Sequence, residues 1–139
     1  SIDMSDPYRA LWNYLASSEI NKSQAMIELM QQRKNLDETN WATQLVDLYL
    51  EKITENELLN SLISGVASQQ QLTDRLCEAY FYLGKYHSAK GNKGIASNYF
   101  KLALSTNVFE YVEHRYARLE LNLLRDAANK TGTDEIRTQ

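Results

Sequence analysis

The stretch from Cys77 to Val108, CEAYFYLGKYHSAKGNKGIASNYFKLALSTNV, constrains this chain more than any other. Counted from Cys77, a large aromatic falls fourth (Tyr80), Leu83-Gly84 seventh and eighth, and a ring eleventh (His87). Small Ala96 falls twentieth, Phe100 twenty-fourth and Ala103 twenty-seventh. Each choice has a packing reason. A glycine inside a helical pattern costs roughly 1 kcal/mol against alanine, so Gly84 makes sense where a second helix presses close. Ala96 and Ala103 supply small faces for that approach, and Tyr80, Leu83 and Phe100 fill the seam. Gly91 is placed to end the first helix, and Asn92 to cap the next. The pattern is a helix–turn–helix unit whose period of about 34 residues is that of a tetratricopeptide (TPR) repeat. The repeat spans 77–110, and Val108 stands where a closing proline is customary.

Other start signals divide the remaining chain into helices. Asp6-Pro7 pairs a capping acceptor with a proline at the first helical position. Tyr8, Leu11, Trp12 and Leu15 then follow as a buried stripe. Asn21 to Gln24 resembles a capping box before Met26, Leu29 and Met30. A polar break from Arg33 to Asn40 precedes a third helix with Trp41, Leu45, Leu48 and Tyr49. Thr54-Glu55-Asn56-Glu57 is another box, launching Leu59, Leu62, Ile63 and Val66. Ser68 to Gln71 reads as a short polar joint. Asn107 to Glu110 opens a seventh helix, over 108–125, and 126–139 reads as a polar, frayed tail. No segment shows sustained strand alternation. The expected fold is all-α: one domain over 1–125, a short TPR-like solenoid of about seven helices with a C-terminal capping helix.

Composition excludes several classes of function. The formal charge is −3, so no global basic field recruits nucleic acid or anionic lipid. The charge is uneven: 5 Lys/Arg against 10 Asp/Glu over residues 1–70, and 10 against 8 over 71–139. No apolar run reaches the ~18 residues needed to span a bilayer, and no targeting segment is read in the chain. Cys77 is the single cysteine and reads as a small buried hydrophobe. His87 sits at a packing position, and His114 with Glu110 reads as helix pairing. No metal-ligand, nucleophile–base or phosphate-loop motif occurs. An enzyme, a cofactor and a metal are therefore not expected. Tyr80, Tyr82, Tyr86, Tyr99, Tyr111 and Tyr116 beside Lys101 and Arg115 invite comparison with stacking platforms for RNA. They read instead as core and groove.

The candidate site is geometric. Repeat positions two, five, nine and twelve line a concave wall, here Glu78, Phe81, Lys85 and Ser88, with Arg115 and Arg118 continuing it on the seventh helix. An aromatic beside a lysine and an acid suits a peptide-gripping groove. An alternative is self-association through faces rich in Trp12, Trp41 and Met30, with no peptide-binding groove of its own, and another is a helical-repeat RNA binder.

The segments DPYRALWNYLA, FYLGKYHSAKGNKGIASNYFKLAL and NVFEYVEHRYARLELNLL resemble the C-terminal part of the NlpI family, TPR-containing lipoproteins of Gram-negative bacteria. The likeness covers most of residues 6–125, and VEHRYARLEL (Val112 to Leu121) is its most specific piece. The resemblance implies a dimeric periplasmic scaffold held to the outer membrane by a lipidated cysteine. It implies an adaptor that brings peptidoglycan endopeptidases to a periplasmic protease and gathers peptidoglycan-synthesis enzymes. The family's lipid anchor and earlier repeats are expected to lie outside these 139 residues, and Cys77, with no apolar leader before it, does not replace the anchor.

Overall fold

The computed structural model describes residues 3–106 and 120–129. Every regular element among them is helical: α1 (Pro7–Ser18), α2 (Lys22–Arg33), α3 (Thr43–Tyr49), α4 (Glu55–Asn60), a 3₁₀ turn (Ser61–Ile63), α5 (Gln69–Ala89), α6 (Lys93–Ser105) and α7 over 120–129. The fold is all-α with seven helices among the described residues, as the capping signals lead one to expect. The chain divides into two compact units, Ser1–Ser61 and Leu62–Gln139, where the sequence reads one domain over 1–125. Most of the expected capping helix, 108–119, lies outside the described residues. Residues 126–129 are helical rather than frayed.

In the first unit, α1 starts at its expected cap. The Asp6 carboxylate accepts the Tyr8 N–H at 2.9 Å, and Pro7, with no N–H to satisfy, takes the first helical position. The buried face is rotated by about one residue from the expected stripe. Pro7, Ala10, Leu11, Tyr14 and Leu15 are inside, while Tyr8 and Trp12 are half-buried. Small Ala10 on α1 and Ala25 on α2, both sealed from solvent, allow the two helices to pack closely. Tyr14 rather than Trp12 then carries the aromatic weight, meeting the Tyr49 ring edge-on at 5.6 Å.

Trp41 lies in the turn before α3, buried, with its indole N–H donated to Ser61 Oγ at 2.9 Å. The Ser61 hydroxyl donates in turn to the Leu58 carbonyl at 2.6 Å. The capping box at Thr54 closes both ways: Glu57 N–H to Thr54 Oγ1 at 3.1 Å, and Thr54 N–H to Glu57 Oε1 at 3.2 Å. The helix it launches is shorter than the apolar spacing suggests. It ends at Asn60 and tightens into the 3₁₀ turn, so Leu58 and Leu62 are buried while Ile63 is exposed.

In the second unit, carbonyls of that turn region find a donor in Arg75, whose Nη1 reaches Leu62 O at 3.1 Å and Ser64 O at 2.6 Å. Such carbonyls have no helical partner of their own. The expected polar joint at 68–71 is instead the start of α5. Ser68 Oγ accepts the Gln71 N–H at 3.1 Å, and Gln71 Oε1 accepts the Ala67 N–H at 2.7 Å. The helix therefore begins at Gln69, well upstream of Cys77.

The α5–α6 hairpin is built around Gly84. A Cβ there would lie 2.4 Å from Phe100 Cε1 and 2.6 Å from Cδ1, inside van der Waals contact. The partner pressed onto Gly84 is thus the Phe100 ring; Ala96 and Ala103, both fully buried, flank it on α6. Gly91, at φ +81°, ends α5 in a Schellman motif, with Asn92 N–H to His87 O at 2.9 Å and Gly91 N–H to Ser88 O at 3.1 Å. Asn92 stands at the start of α6, yet its side chain does not cap that helix. Its amide turns back to lie 3.2 Å from His87 Nδ1.

Candidate docking cleft

The groove expected on α5 is not an open grip. Phe81 is 0% exposed and Glu78 only 9%. The Phe81 ring lies 6.2 Å from that of Phe100, in the seam with α6. Lys85 is already engaged: its Nζ meets Glu120 Oε1 on α7 at 2.7 Å, both side chains mostly covered. Ser88 is half-buried. Arg115 and Arg118, and with them His114, lie outside the described residues. The physical reason is that α5 packs on more than one side. The face that a repeat pattern leaves free is closed here by the protein's own chain.

The rings beside this face are likewise spent on one another. Tyr80 stacks on Tyr99 at 6.2 Å, and Tyr99 stacks on His87 at 5.7 Å. Tyr86 meets His87 edge-on and carries the Lys90 ammonium 4.2 Å from its ring centre. His87 and Cys77 are buried. Among the described residues, no three His, Cys, Asp or Glu side chains gather to hold a metal. Among them, too, no helix is long and apolar enough to cross a membrane.

An open cleft of about 600 Å³ lies in the first unit instead, lined by Ile27, Met30, Gln31, Arg33, Lys34, Glu38 and Lys52. Its floor comes from the outer face of α2. Ile27, Met30, Gln31 and Lys34 fall at i, i+3, i+4 and i+7, so they share one side of the helix and its first turn beyond. Ala25 and Leu29 point the other way, into the core. Ile27 is 49% exposed and Met30 55%. Met30 is therefore surface, not the core residue that its neighbour Leu29 suggests.

Arg33, the last residue of α2, holds the cleft's shape. Its guanidinium is shared between two carboxylates. Nε and Nη2 donate to Asp47 at 2.7 and 3.2 Å, and Nη1 and Nη2 donate to Glu38 at 2.6 and 3.2 Å. The double fork ties α2 to α3 and to the loop between them. It raises the Arg33 pKa above its ordinary value, Glu38 contributing most and Asp47 next. The same bonds hold the Glu38 carboxyl below the usual carboxylate range. Sequence reading missed this fork. Arg33 and Asp47 are 14 residues apart, on different helices, and carry no motif.

Lys52 reaches the cleft from the end of α3. That helix closes in a second Schellman motif, with Lys52 N–H to Asp47 O at 2.8 Å and Glu51 N–H to Leu48 O at 2.9 Å. The residue in the left-handed position is Glu51, at φ +60°. An L-residue there is strained by roughly 1–2 kcal/mol. The side chains of Lys34 and Lys52 make no ion pair or hydrogen bond among the described residues. The cleft thus offers two exposed apolar side chains flanked by two ammonium groups, that of Lys52 also acting on the Glu38 carboxylate.

No family model matches the chain.

Proposed function

We propose that this chain is a non-enzymatic scaffold that binds other polypeptides. The observation that carries the reading is the unpartnered outer face of α2, where Ile27 and Met30 stand exposed at a cleft edged by lysines. Helical hairpins hold such a face rigid, so a partner would not have to order it on binding. The repeat-like α5–α6 hairpin and the resemblance of three segments to the NlpI family support a TPR scaffold. In that role the chain would belong to a periplasmic adaptor, held to the outer membrane, that brings peptidoglycan endopeptidases to a protease and gathers synthesis enzymes. The test is photo-crosslinking of the full-length protein in its native compartment, with the reactive residue at Met30 and, separately, at exposed Leu102. Crosslinks to cell-wall enzymes at either position support the scaffold. Absence of any heterologous crosslink at both rejects it.

A second reading is self-association. Exposed Met30 and half-buried Trp12 favour it, but Trp41, buried and bonded to Ser61, cannot contribute its face. Sedimentation as a strict monomer at high concentration excludes it.

A further inference from the structure

The first unit is acidic, yet its bases are not spread evenly. Residues 1–61 hold five: Arg9, Lys22, Arg33, Lys34 and Lys52. Three of the five line this cleft. Arg33 is consumed by Asp47 and Glu38. Lys34 and Lys52 remain, at the edge of a floor made by Ile27 and Met30. The lining holds three bases and one acid, Glu38, while the unit as a whole holds five bases and ten acids. That contrast disfavours a polyanion, which would have to lie along an acidic surface. It favours a compact ligand with a few carboxylates beside apolar groups.

We infer that this cleft takes an acidic amphipathic helix from another protein. Its apolar side chains cover Ile27 and Met30, and its carboxylates pair with Lys34 and Lys52. The inference rests on the scaffold reading and names the partner class for it. The spacing of the floor, i, i+3, i+4, i+7, is that of a helix face, and a second helix laid against it meets matching ridges. Apolar area supplies affinity, and the two lysines supply the choice of partner. Glu38, exposed at the rim but bonded to Arg33, repels carboxylates placed on its side. It thereby limits the orientations in which such a helix can lie.

The experiment uses the 139-residue chain and three fluorescein-labelled synthetic helices of about 16 residues. All carry leucine at i, i+3, i+4 and i+7, and their flanking positions are Glu, Gln or Lys. Anisotropy titrations compare the native chain with K34E/K52E and I27S/M30S. All four positions are exposed, and circular dichroism verifies each fold. The Glu helix is expected to bind the native chain at least tenfold more tightly than the Gln helix. K34E/K52E should reverse the preference towards the Lys helix, and I27S/M30S should weaken the Glu helix at least tenfold. Equal binding of the Glu helix to native and K34E/K52E chains overturns the cleft but leaves the scaffold reading standing, since a helix then docks elsewhere. No helix binding overturns the inference, and the crosslinking experiment judges the scaffold separately. Two further outcomes also overturn it. One is binding to phosphatidylglycerol vesicles, but to no helix, that K34E/K52E abolishes. The other is a dimer that I27S/M30S converts to monomer.

Discussion

The α5–α6 hairpin carries the most regular pattern in the chain, and the first unit the least, yet an open cleft lies in the irregular unit. In the hairpin, Gly84, Phe100, Ala96 and Ala103 sit where a repeat needs them, and that regularity serves packing. Phe81 joins the seam, and Glu120 occupies Lys85. In the first unit, α2 is covered on one side only; Asn21 caps its start, ion pairs hold Arg33 at its end, and α3 closes in a strained turn. A strong motif therefore marks where the chain is well packed, and a weak one leaves surface for other uses.

The sharpest way to break this comparison is to truncate one apolar residue in each region. Phe81→Ala removes a sealed core ring and should cost about 3–5 kcal/mol. Met30→Ala should stay within about 0.5 kcal/mol. Urea unfolding followed by far-UV circular dichroism checks both, and equal effects would erase the distinction between core and cleft.

Gly84→Ala comes next. The added methyl must displace the Phe100 ring, and overpacking costs about 1–3 kcal/mol, against which the gain in helix propensity is smaller. Phe100→Leu in the same chain should recover part of the loss, visible as a non-additive thermal midpoint.

The two Schellman ends form a third pair. Gly91→Ala forces a Cβ into the left-handed region and should cost about 1 kcal/mol. Glu51→Gly relieves that same strain and should stabilise the first unit by about 0.5–1 kcal/mol. Opposite shifts in the urea midpoint confirm that one end is relaxed and the other strained.

The smallest effect is electrostatic. The Glu38 pKa is depressed in the folded state by Arg33. Its contribution is therefore present above its unfolded pKa of about 4.3 and is lost as pH falls through the lower folded value. Glu38→Gln should flatten the stability–pH slope below about pH 4.5 and leave it unchanged at pH 7. Chemical denaturation across pH 3–7 reads this.

Local signals were legible in the sequence, and distant ones were not. Asp6-Pro7, the Thr54 box and Gly91 act within a few residues of themselves, and each stands where its type requires. Ser68 and Gln71 form such a cap too, but the polar run around them hid it. Leu59, Leu62, Ile63 and Val66 keep helical spacing past the point where Ser61 bonds back to Leu58 and the helix tightens. The burial of Phe81 escaped for a different reason. Generic repeat geometry assigns Phe81 to a free face, but burial depends on what else packs there. Ile27, Met30, Gln31 and Lys34 carry their own helical spacing, a usable signal that was masked by the stripe read through Met26, Leu29 and Met30. Nothing in one dimension joins Arg33 to Asp47.

The indole held by Ser61 has a practical side. Trp12 and Trp41 are the chain's two tryptophans, and both belong to the unit that ends at Ser61. Excited at the red edge, the molecule emits from that half alone, while tyrosine absorbance samples the other half as well. The chain thus arrives already labelled, with one signal for the first half's melting and another for both halves together, and no dye attached.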